Sequence, residues 1–159
     1  MKRVIYSLYV DVPAKEHFGD SKNKHDTVDK ANVTINAFKK HYDRLIETKI
    51  TYAEYCEAEF IMFEYDEQYQ TFEKNFLKDF PMFTGYEIIN FYKIHLLYEL
   101  SKKYDEILYL DFDVIPFTDE SFFDVWDLTK GICVYNNNDQ VVNNVNVNEF
   151  PYISADLLA

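Results

Sequence analysis

The chain has 159 residues, a formal net charge of −12 and a hydrophobic share of 48%, with 14 tyrosines and 14 phenylalanines. That much apolar material excludes a disordered acidic tail and suits one domain with a sizeable core. The negative charge argues against a nucleic-acid binder that tracks phosphates and against docking on an anionic membrane, so a bound anion would need a metal cation or a few well-placed basic residues.

The start, Met1-Lys2-Arg3 and then an apolar run, faintly imitates a signal peptide, but the run stops at Asp11 without a small-residue cleavage site. No window approaches the roughly 18 apolar residues of a membrane helix. The expectation is a soluble, cytoplasmic protein with no transmembrane segment. Residues 3–10, "RVIYSLYV", read as a central strand, and the polar stretch 11–26, with Pro13 and Gly19, as a loop. Ile35, Phe38, Tyr42, Leu45, Ile46, Lys49, Ala53 and Cys56 recur at helical steps, which predicts a helix over 29–57 with a break near the β-branched pair Ile50-Thr51. "EFIMFEY" (59–65) reads as a second strand, and Tyr69, Phe72 and Phe76 mark a short amphipathic helix that stops before Pro81.

"TGYE" (84–87) has the pattern of a capping box and opens a helix running to about Lys103. "EILYL" (106–110) is a third strand, apolar throughout, as expected when both faces are covered. Thr118 or Asp119 is placed to cap a short helix in "ESFFDVW", and "GICVY" (131–135) reads as a fourth strand. From 136 the chain turns Asn-rich, a low-complexity loop or a lid over a ligand, with Val145 and Val147 alternating as in a weak edge strand. The alternation of strands and helices predicts an open α/β sheet. Cys56 and Cys133 are far apart and lack metal-ligand spacing, so they read as buried reduced thiols. His17, His25, His41 and His95 form no ligand grouping, and three glycines cannot build a phosphate cradle.

The stretch that calls for chemistry is "YLDFDVIP", where Asp111 and Asp113 bracket Phe112 at the end of the third strand. With 15 aspartates in the chain, chance alone supplies about one Asp-x-Asp, so the match gains meaning only from its place. Ligands of open α/β sheets bind at the carboxyl ends of the strands. Two like charges a few Å apart are unfavourable unless water or a cation compensates, and hard oxygen ligands at this spacing suit Mg²⁺ or Mn²⁺. The alternative is a pair of solvated carboxylates at a strand-to-loop transition. Lys93 falls beside the apolar stripe of Ile89, Leu96 and Leu100, so it either reaches an anion near the strand ends or snorkels to water.

Residues 91–128, "FYKIHLLYELSKKYDEILYLDFDVIPFTDESFFDVWDL", resemble the nucleotide-sugar domain of GT-A-type glycosyltransferases, family-8-like and related. A basic helix residue, a Tyr-Asp turn, an apolar strand ending in D-x-D and a short acidic-capped helix follow in the family's order. "YAEYCEAEFIMFEYD" (52–66) is similar to the family's passage from helix to second strand. The resemblance implies a Rossmann-like GT-A fold, an open, mostly parallel sheet flanked by helices. It divides the chain into a donor-binding domain, 1–135, and an Asn-rich loop at 136–159 that would start an acceptor-side segment, as in a truncated member of the family. It implies transfer of a sugar from a nucleoside diphosphate donor, a UDP-sugar, to a hydroxyl of a glycan, protein or lipid acceptor. By the same resemblance, Asp113 would coordinate Mn²⁺ or Mg²⁺ directly. Asp111 would share the metal, contact the ribose, or both, and Lys93 would face the diphosphate. Ser7 or Tyr9, and Asp66, would line the nucleoside pocket.

The chain departs from the family in having no histidine after His95 to match the late metal ligand. No catalytic base or nucleophile is assigned. Three other readings compete. One is a binding module for nucleotide sugars without transferase activity, and another is a purely structural domain. The third is a dehalogenase-type phosphatase with Asp111 as nucleophile, although position 115 is Ile where that pattern has Thr or Val.

Overall fold

The computed structural model describes residues 1–11, 28–131, 134–136, 141–142, 145–146 and 153–158, the last four stretches as backbone only. Most of the loop expected at 11–26, Cys133 and much of the Asn-rich stretch lie outside these residues. In chain order the elements are β1 (Arg3–Leu8), α1 (Val28–Tyr55), β2 (Glu59–Phe63), α2 (Glu67–Asp79) and α3 (Gly85–Leu100). Then come β3 (Glu106–Leu110), a short α4 (Phe122–Val125), a 3-10 turn (Leu128–Lys130), β4 (Val134–Asn136), β5 (Val141–Val142), β6 (Val145–Asn146) and β7 (Ile153–Leu158).

β1 is the centre of the parallel part of the sheet, pairing in parallel with β2 on one side and with β3 on the other. Helices on both faces make an α/β architecture, as expected, around a small open sheet of three parallel strands. The full sheet has the order β2-β1-β3-β7-β4, and β7 runs antiparallel to both of its neighbours. Val145 of the expected edge strand lies in β6, which pairs with β5 in a separate two-stranded sheet, and Val147 lies outside the described residues.

Period-2 alternation divides the strands between two cores. Val4, Tyr6, Leu8, Ile107 and Tyr109 pack under α2 and α3 with Tyr69, Ile88, Tyr92 and Leu96. Ile5, Leu108 and Leu110 face the opposite way, against Tyr52 and Ala53 of α1, Cys56 just after it, and Phe123 of α4. Burying one such large side chain contributes about 1.5–3 kcal/mol. The Tyr6 hydroxyl avoids an unmet polar group by donating to the Lys93 carbonyl at 2.8 Å.

The capping box of α3 is present in both directions, Thr84 to Glu87 and back. Asp66 caps α2 by accepting from the Tyr69 amide at 2.8 Å. Two local expectations fail. α1 runs unbroken through Ile50-Thr51, because the next turn buries Tyr52 and Ala53. β-branching weakens a helix only slightly, and burial overrides it. The N-cap of α4 is Ser121, not Thr118 or Asp119, and the Ser121 side chain makes no capping bond. Among the described residues, no helix is long and apolar enough to cross a membrane.

Candidate functional site

Because β1, β2 and β3 are parallel, their carboxyl ends share one edge, where Tyr9, Asp66 and Asp111 follow the strands. β3 ends at Leu110, and the chain folds into a turn closed by the Val114 amide donating to the Asp111 carbonyl at 3.0 Å. The alternation of the strand persists into this turn. Asp111 lies on the face of Tyr109 and α3, whereas Phe112 turns to the face of α1.

Lys93, 7% exposed, brings its ammonium to 3.0 Å from Asp111 Oδ1 and 3.2 Å from Oδ2. The Tyr109 hydroxyl donates to the same carboxylate, and the Lys93 ammonium sits 5.2 Å above the Tyr109 ring. Lys93 therefore points inward and has an anionic partner, but the partner is Asp111. Burial pushes the Asp111 carboxyl above its ordinary value, and Lys93 and Tyr109 offset this only in part. Asp113 is exposed and makes no hydrogen bond or ion pair with any described residue.

Phe112 is 3% exposed. It lies in an aromatic nest, stacked on Tyr9 at 4.7 Å and met by Phe38 and Tyr42 of α1 at 5.5 and 5.3 Å. Two turns further along α1, Lys49 is fully buried and reaches under the same turn. Its ammonium donates to the carbonyls of Phe112 at 2.7 Å and Val114 at 2.8 Å. Burial lowers its pKa to about 8, although Asp113 and Asp111 favour the charged form. Two lysines and two carboxylates thus meet at one strand end, a neutral set in a chain of net charge −12.

The other expected residues fall as follows. Tyr9 is half-buried, and burial raises its phenol pKa. Its hydroxyl has no partner among the described residues. Ser7 is fully buried and donates its hydroxyl to the Leu110 carbonyl, so it supports the end of β3 from within. Asp66 is exposed and engaged as the cap of α2. Lys49 was not singled out in the sequence, although its signal is the one that marked Lys93, a lysine on an apolar helix stripe.

Two surface grooves of about 580 and 690 Å³ lie elsewhere, one along α2 beside Phe72 and His95, the other at the amino ends of the parallel strands around Lys2 and Tyr104. Neither includes Asp111 or Asp113. Among the described residues, no three His, Cys, Asp or Glu side chains group as a closed metal cage. An open site for a small hard cation needs only one or two carboxylates, with water and phosphate oxygens completing the shell; Asp113 is exposed and free of partners among the described residues, whereas Asp111 is held by Lys93 and Tyr109. No protein-family model matches the chain, and no curated protein or solved structure does either.

Proposed function

We propose that the Asp111–Asp113 turn receives Mn²⁺ or Mg²⁺ together with the diphosphate of a nucleotide sugar, and that the chain is the donor-binding unit of a GT-A-type glycosyltransferase. The donor is then a UDP-sugar and the acceptor a hydroxyl of a glycan, protein or lipid. One observation carries the reading. Asp111 is a carboxylate at the carboxyl end of a central strand, where burial disfavours its charge and Lys93 and Tyr109 offset this only in part, beside Asp113, exposed and without a partner among the described residues. Perturbed carboxylates at strand ends are candidates for a functional site.

Asp113 would hold the cation, and Asp111 would share it or meet the ribose. A bound cation neutralises the charge that grows on the departing diphosphate. Lys93 stands within reach of both partners and exchanges part of its contact with Asp111 for a phosphate oxygen. Tyr9 and the exposed oxygen atoms of Asp66 flank the nucleoside side, with Ser7 supporting the strand behind them.

The Lys93–Asp111 pair itself favours a second reading, a purely structural ion pair that closes the end of the sheet. Asp113→Ala separates the two, because Asp113 makes no hydrogen bond or ion pair among the described residues and acts on Lys49 only at longer range. The stability of the free variant should stay within about 0.5 kcal/mol of the parent. UDP should raise the Tm of the parent only with Mn²⁺ or Mg²⁺ present, and the variant should lose that rise. A parent chain indifferent to UDP and Mn²⁺ together leaves the structural reading standing.

A further inference from the structure

We propose that Lys49 is the positioning residue of this site: its buried ammonium clamps the Asp111–Val114 turn by two backbone carbonyls and so sets the direction in which Asp113 leaves the sheet. For its ligand the proposal rests on the donor-binding reading, whereas the clamp stands on geometry.

A lysine ammonium has three protons. Lys49 places them on the carbonyls of Phe112 at 2.7 Å, Val114 at 2.8 Å and Leu45 of its own helix at 3.4 Å. The first two belong to residues beyond the end of β3, so the sheet ladder does not use them. With both carbonyls drawn inward onto α1 and the Phe112 ring buried beside the ammonium at 5.5 Å, Asp113, the residue between them, is left outside. Among the described residues, no carboxylate pairs with Lys49. Its charge is balanced at longer range by Asp111 and Asp113, which also lower the cost of burying it. A methionine would continue the apolar stripe of α1 without that cost, so packing alone does not account for a lysine here. The turn is pinned from both helical layers, its carboxylate by Lys93 of α3 and its backbone by Lys49 of α1.

The test compares the full chain with Lys49→Met by amide hydrogen exchange and by calorimetry with UDP and Mn²⁺. The Val114 amide, which closes the turn, should exchange at least about tenfold faster relative to the amides of β1 and β3, the loss expected from one charged hydrogen bond. Affinity for UDP with Mn²⁺ should fall by about tenfold or more. Val114 exchange that changes only in step with the sheet, or unchanged affinity in a parent that binds, overturns the proposal. A parent that binds no UDP defeats the donor-binding reading, and the exchange result still decides the clamp. If Lys49→Met does not fold, NMR of the parent decides: a slowly exchanging Lys49 ammonium supports the clamp, and one exchanging like the surface lysines refutes it.

Discussion

Asp111 has an ion-pair partner and a phenol donor, and burial still holds its carboxyl above the ordinary value of 3.8. The folded chain therefore keeps this proton at pH values where the unfolded chain has lost it, so the residue's contribution to stability falls as pH rises from about 4. Without Lys93 the carboxylate would be buried and uncompensated. Lys93→Met should cost about 2–4 kcal/mol in urea unfolding, and adding Asp111→Asn should recover most of it. Additive effects in that double-mutant cycle would mean the pair is not formed in solution. The Asp pair and the inward lysine were legible because strand-end position and helix phase are local properties. That Lys93 meets Asp111, and that Lys49 reaches the turn, were not legible, because nothing near either lysine in the chain names its partner.

At the scale of elements, short-range chemistry was legible where side chain and backbone are three or four residues apart. The Thr84–Glu87 box is of that kind, with Glu87 accepting from the Thr84 amide at 2.7 Å. Thr84→Ala should cost about 1 kcal/mol and lower the Tm by a few degrees. Ser121→Ala at the start of α4 should be neutral or slightly stabilising, since that buried hydroxyl has no partner in the described structure. Equal losses in thermal unfolding of the two variants would contradict the capping assignments. The predicted break in α1 went wrong for an instructive reason. Propensity at Ile50-Thr51 is worth tenths of a kcal/mol, whereas the next turn buries Tyr52, Ala53 and Cys56 against the sheet.

For the whole molecule, alkaline pH gathers these groups into one curve. Lys49 is held near 8 in the fold against 10.5 in the unfolded chain, so the unfolded chain binds more protons between those values and stability rises with pH there. Buried tyrosines act in the opposite sense. Tyr52 and Tyr92, pushed up to about 12 from 10.0, keep their protons after the unfolded chain has lost them, so stability falls above pH 10 at about 1.4 kcal/mol per tyrosine per unit. Denaturant unfolding across pH 7–11 should show a maximum near 10, and Lys49→Met should lose the rising limb but keep the fall. A parent that only declines above pH 8 would count against a Lys49 pKa lowered by burial. Chain order and local pattern were enough for the strand–helix alternation, the α3 cap and the two aspartates at a strand end, since each depends on residues within a turn of one another. The insertion of β7 between β3 and β4, and the meeting of Lys93 and Lys49 with a turn 18 and 63 positions away, arose only when the layers packed. Long-range partners are selected by burial and charge balance in three dimensions, which periodicity along the chain does not encode.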